Sequence, residues 1–178
     1  QPRLVTETMD VTQGKLAMGY RCGSDDYPAM VLANLIFGGT SNSKLFMNVR
    51  ERLSLCYYAS SSYARSKGIM TVSSGVEQKD YDRAVEEITR QLTAVQNGEW
   101  EEWEQDGALQ AMLSSLTSLP DSQSALENYY LGQIATDAGE TPEELTAALR
   151  EVTKERIMAA AQSARLDTVY FLHGKEEA

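Results

Sequence analysis

The sequence predicts an α+β domain, a mainly antiparallel sheet of about four to six strands with helices packed on one face. Three observations carry that expectation. Two alternating segments, residues 56–63 and 69–76, stand on either side of a short turn. The second half is a succession of apolar stripes at helical spacing, and the described order ends on the apolar run TVYFLH, residues 168–173. Strand signals and helix signals are thus segregated along the chain and do not alternate as in a parallel α/β fold.

Taken in order, residues 1–14 show little periodicity and read as a lead-in or linker before a single domain over 15–178. Residues 15–22 (KLAMGYRC) alternate as a strand, with Leu16, Met18 and Tyr20 on one face. Asp25, Asp26 and Pro28 open a helix, since acids favour its positive end and proline suits its first turn. Its body, 29–37, is apolar all round, the mark of a buried helix. Gly38 and Gly39 end it, and the polar run 40–43 caps a second short helix over 44–52. Residues 56–63 and 69–76 then form a hairpin around 64–68. Tyr81, Ala84, Val85, Ile88, Leu92 and Val95 line one face of a helix that stops at Asn97-Gly98. Another helix runs over 99–116, broken at Leu119-Pro120, and a further one over 122–138 turns Leu126, Tyr129, Tyr130 and Ile134 inward. Thr141 followed by Glu144 is a capping box for a helix to about 152, and Thr153 begins the last one, which ends near 164.

The bulk composition excludes several classes of function. Sixteen basic residues against 26 acidic ones leave a net charge of −10, which repels phosphate backbones and anionic lipid, so neither nucleic acid nor membrane is an expected partner. No apolar run is long enough to span a bilayer. Cys22 and Cys56 form no C-x-x-C pair and read as free thiols in a reducing compartment, so a cytoplasmic location is expected. The opening Gln1-Pro2-Arg3 reads as a cut from a longer chain, whose own signal sequence these residues cannot report.

Several suggestive groupings read better as structure. Residues 39–44 resemble a phosphate loop, but Ser43 stands where a glycine must precede the lysine, and the segment follows a helix. His173 with Cys22 and Cys56 lacks ligand spacing and reads as a core or rim histidine beside two thiols. Glu99, Glu101, Glu102, Glu104 and Asp106 fall in the first turns of a helix and read as a solvated face, with Trp100 and Trp103 forming one stripe against the sheet.

One stretch carries more. Residues 38–46 (GGTSNSKLF), followed by 49–57 (VRERLSLCY), resemble the run of glycines, small polar residues, Lys-Leu-Phe, Arg-Glu and Leu-x-Tyr found in insulinase-like (pitrilysin and mitochondrial processing peptidase) zinc metallopeptidases. Gly19-Tyr20-Arg21 before Asp26-Tyr27-Pro28, and 151–157 before the strand to Leu172 and Gly174, agree with the ends of the same domain. The resemblance implies a metallopeptidase half-domain of the LuxS/processing-peptidase-like kind. Members of this family close two homologous halves around a peptide. The zinc-bearing half holds the motif H-x-x-E-H. With His173 as its one histidine, this chain cannot supply that motif. It therefore resembles the second, non-zinc-binding half: no cofactor of its own, with zinc expected in a homologous partner domain or subunit, and a peptide as substrate.

The resemblance further implies that Arg50 and Tyr57 contact the peptide or its tetrahedral intermediate. Both side chains donate hydrogen bonds, which a developing negative oxygen requires. Tyr58 adjoins Tyr57, and only one of two neighbours on a strand can face a given side. Cys56 and Leu53-Ser54 stand where the family more often has glycine. Alone the chain is expected to be no enzyme, and as part of its parent to serve a zinc-dependent endopeptidase. The alternative is a catalytically inactive binding or assembly subunit of a heterodimeric complex. Arg50 and Tyr57 on opposite sides of the domain would instead favour an unrelated α+β binding module.

Overall fold

The computed structural model describes residues 1–175, so the last three residues of the expected domain lie outside the described residues. Five strands, β1 (Arg3–Met9), β2 (Gly14–Cys22), β3 (Ala59–Ala64), β4 (Ile69–Val76) and β5 (Ala164–Gly174), form one sheet in the order β1-β5-β2-β4-β3. The pairs β2–β4, β2–β5 and β3–β4 are antiparallel, and β1 lies parallel to β5. The α+β expectation therefore holds, with one parallel pair in an otherwise antiparallel sheet.

Alternation explains the middle of the sheet. Leu16, Met18 and Tyr20 of β2 bury one face, joined by Met70 and Val72 from β4 and by Val169 and Phe171 from β5. The expected lead-in over 1–14 is corrected by β1, paired from Arg3 opposite Thr168 to Met9 opposite Gly174. Its side chains bury neither face, with Leu4 and Met9 exposed, so backbone pairing organises the segment and no apolar alternation announces it.

Six α-helices accompany the sheet: α1 (Tyr27–Asn34), α2 (Tyr81–Gln96), α3 (Glu102–Thr117), α4 (Gln123–Ala135), α5 (Pro142–Arg150) and α6 (Lys154–Gln162). At the head of α1, Asp26 accepts from the Ala29 amide at 3.2 Å and takes two hydrogen bonds from the Arg156 guanidinium at 2.8 and 2.9 Å. One carboxylate thus caps α1 and ties it to α6. Beyond Asn34 the winding widens to a π-helical turn over Leu35–Gly39, and Leu45–Arg52 is π-helical as well. The thiols and histidine weighed as a metal site are dispersed: Cys22 pairs with Ala164 at one end of β5, whereas His173 lies near its other end.

Three expectations about which side chains face inward or outward need correction. On α4, Tyr130 and Ile134 are exposed, and the buried position is Gln133. The Glu140 amide donates to the Gln133 side chain and the Tyr129 hydroxyl donates to the Glu140 carbonyl, both at 3.1 Å. These bonds turn the Tyr129–Gln133 side inward; Leu126 and Tyr129 keep the half-buried places that the apolar spacing gives them, and Tyr130 and Ile134 do not. Trp100 is buried but Trp103 is exposed, because α3 begins only at Glu102 and the two rings never share a helical face. Glu104, expected in a solvated face, makes an ion pair with Lys44 at 3.2 Å, both side chains nearly buried.

Candidate functional site

The site is assembled where the π-helix Leu45–Arg52 meets the start of the β3–β4 hairpin. Leu45 and Val49 are fully buried and anchor the π-helix to the core, leaving Arg50 half-exposed on its outer side. The Arg50 guanidinium lies 4.6 Å from the centre of the Phe46 ring, and its Nε is 3.6 Å from Glu51. The ring contact fixes the plane of the guanidinium; so exposed an ion pair adds little. After Arg52 the chain reverses sharply. Ser54 adopts a left-handed backbone at φ 50°, and the Leu55 amide returns to the Val49 carbonyl at 3.0 Å. A glycine would reach that conformation without strain, which explains why glycines are the more familiar choice there.

Two tyrosines follow, and Gly75 of β4 meets both. The Tyr57 amide donates to the Gly75 carbonyl at 3.0 Å, and the Gly75 amide donates to the Tyr58 carbonyl at 3.2 Å. Two residues thus face one, the pattern of a bulge that re-aims side chains at a strand end. A Cβ on Gly75 would come within 2.6 Å of the Tyr58 ring, so the absence of a side chain there lets Tyr58 lie flat on the sheet. Tyr57 turns the other way. The residue is 60% exposed and its hydroxyl donates to Glu77 Oε1 at 3.1 Å.

Arg50 and Tyr57 line one open concavity of about 450 Å³, together with Glu51, Cys56, Glu77 and Asp80. Tyr58 lines an adjoining one of about 310 Å³, which it shares with Phe46 and again Arg50. The bond to Glu77, followed by that carboxylate's negative charge, raises the Tyr57 pKa, keeping the phenol protonated and able to donate. Glu77 is held below the ordinary carboxylate range by Lys79, 2.6 Å away, and by the Tyr57 hydroxyl. Burial pushes the Cys56 thiol up, so it is a poor nucleophile. Glu77 and Asp80 escape sequence reasoning: they follow β4 with no motif around them, and only the hairpin register sets them beside Tyr57.

The donor set does not fit zinc. Among the described residues no three His, Cys, Asp or Glu side chains stand close enough together to hold a metal ion. His173 is spent on Thr8 and the Gly174 carbonyl.

Comparison with known proteins places this arrangement. The family described as "Peptidase M16 inactive domain" matches residues 1–112. The chain belongs to that family. Over its whole length this M16 inactive domain is 39% identical to a Bacillus subtilis (strain 168) protein named "Probable inactive metalloprotease YmfF", of which it covers 43%. A conserved protein from Enterococcus faecalis V583 superposes over all of the chain and 43% of its own length, with a TM-score of 0.91 and 33% identity. A peptidase M16 inactive domain from Pseudomonas fluorescens shares the fold, with a TM-score of 0.78 at 16% identity over 99% of this chain and 44% of that one. The M16 inactive domain described here thus spans less than half the length of the curated relatives it matches.

Proposed function

We propose that this M16 inactive domain closes over the peptide cleft of a zinc protease and presents Arg50 and Tyr57 to the bound peptide or its tetrahedral intermediate. The observation that carries the reading is that the two donors line a single concavity, one on the π-helix and the other just ahead of β3. The zinc belongs to a homologous half outside this chain. Within the chain, Arg50 contributes a fixed positive charge and Tyr57 a protonated hydroxyl. That hydroxyl must exchange Glu77 for the substrate oxygen as the cleft closes.

A second reading, a catalytically inactive binding or assembly subunit, is favoured by the charge of the same concavity. Glu51, Glu77 and Asp80 line it together with a single arginine, and a developing negative oxygen is poorly served by nearby carboxylates.

Peptide hydrolysis by the intact protein carrying this chain, with a zinc-bearing half supplied if separate, decides between them. Chelator-sensitive cleavage that falls at least tenfold in both Arg50→Ala and Tyr57→Phe supports the first reading, since one lost oxyanion donor costs ~10²–10³ in turnover. Cleavage unchanged in both variants, or none at all, leaves the assembly role.

A further inference from the structure

Arg50 takes its close contacts from its own helix, since the Phe46 ring and Glu51 both stand on Leu45–Arg52. Those contacts move with the helix and cannot decide where it lies against the domain. Winding of the π type is rare and occurs mostly as single turns, so an eight-residue run of it needs support from outside.

Helix α2 supplies that support. Asn48, two residues before Arg50, donates from Nδ2 to Gln91 Oε1 at 3.0 Å. Gln91 donates from Nε2 to Glu87 Oε1 at 2.6 Å. The Arg90 guanidinium closes the chain with two bonds to the same carboxylate, at 2.8 and 2.6 Å. Arg52, two residues after Arg50, sets its positive charge against Glu87 as well. One carboxylate thus holds the π-helix on both sides of Arg50.

Gln91 and Glu87 are both buried. Burying a carboxylate costs stability that well-packed apolar side chains would not, and the best-attested return is a fixed register. The chain of bonds also has a direction. A carboxylate only accepts, so Gln91 must turn its amide nitrogen to Glu87, which leaves its oxygen for Asn48, and Asn48 must donate.

We infer that Glu87 and Gln91 are positioning residues: through Asn48 they set the register of the π-helix and so aim the Arg50 guanidinium into the concavity it shares with Tyr57. Neither lines that concavity, so each acts through Arg50. The inference rests on the proposed function for what Arg50 does there, and it adds the part of the domain that governs the aim.

The test reverses the direction of the bonds. Asn48→Asp sets oxygen against oxygen at Gln91. Adding Glu87→Gln lets Gln91 turn over, donating toward position 48 and accepting from position 87. Asn48→Leu breaks the link without adding charge, and Glu87→Gln cannot repair it. Each variant is read by amide exchange and by the Nε–Hε resonance of Arg50, assigned through its loss in Arg50→Lys. Expected in both Asn48 variants are faster exchange at 45–52, unchanged exchange at 69–76 and a displaced Arg50 resonance. Adding Glu87→Gln should restore all three in Asn48→Asp and none in Asn48→Leu. Unchanged exchange at 45–52, an equal rise at 69–76, no recovery in the first pair or recovery in the second would each overturn the inference.

Hydrolysis by the intact protein separates it from the proposed function. An interaction made only in the transition state shows in kcat and not in KM, so Asn48→Asp should lower kcat by about tenfold and the added Glu87→Gln should restore it. A fall in Arg50→Ala with none in Asn48→Asp sinks only the positioning role. Unchanged rates in both, with the exchange pattern as expected, sink only the oxyanion role.

Discussion

The Tyr57 hydroxyl donates to Glu77 Oε1 over 3.1 Å, so the phenol of the site is held by a carboxylate that Lys79 keeps charged. Replacing Glu77 by Gln keeps an acceptor and removes the charge. The Tyr57 pKa is raised by that hydrogen bond and charge, so Glu77→Gln should move it down toward the ordinary phenol value. Ultraviolet difference titration reads this, with Tyr57→Phe as the blank for the other tyrosines. If the pair competes with substrate, the same variant should also raise turnover in the intact protein.

Asp26 gives the fold an acid limit. The hydrogen bonds from Arg156, reinforced by the Ala29 amide, hold its carboxyl below the ordinary range despite partial burial. A depressed folded pKa contributes stability above the unfolded value that is lost as pH falls through the folded one. Denaturant midpoints measured from neutral pH downward should therefore fall in the acid range, with a shallower fall in Asp26→Asn. Asp26→Ala, which also removes the cap, should cost a further ~1 kcal/mol at neutral pH.

Lys44 and Glu104 face each other at 3.2 Å with about a tenth of each side chain exposed. Removing one partner leaves the other charge buried, so Lys44→Met should destabilise by about 3–5 kcal/mol. Adding Glu104→Gln should recover much of that loss, because Gln is neutral yet still accepts from the Glu101 amide as Glu104 does at 2.9 Å. Chemical denaturation of the two singles and the double gives the coupling directly.

Gly38 is a packing requirement. A Cβ there would fall 2.6 Å from Leu45 Cδ1 and 2.7 Å from the Ser61 backbone nitrogen, and backbone cannot step aside. Gly38→Ala should cost about 1–3 kcal/mol and disturb the cavity beside β3, whereas Gly107→Ala, with open space around it, should be neutral or stabilising. Thermal midpoints of the two variants, measured together, check the contrast.

Much of the order of elements was legible in the chain. The hairpin strand over Ile69–Val76, the Thr141–Glu144 capping box and the buried alternation of Leu16, Met18 and Tyr20 all appear where pattern places them. Each is a local matter, in which side-chain period or a cap acts within a few residues. Arg50 and Tyr57 were legible as a pair through the motif spanning them, and the structure sets them around one concavity.

The rest was decided by contacts remote in sequence. Strand β1 exists because β5 offers its backbone, 165 residues away, and no side-chain period records that partnership. The face of α4 is set by polar bonds to Glu140 that outweigh its apolar spacing, since a buried amide left unpaired costs more than an exposed Ile134. Glu77 reaches Tyr57, and Glu104 reaches Lys44, only after the sheet and helices have closed. Period and capping are written in neighbouring residues; the pairing of edges and charges is settled where distant segments compete for the same buried space.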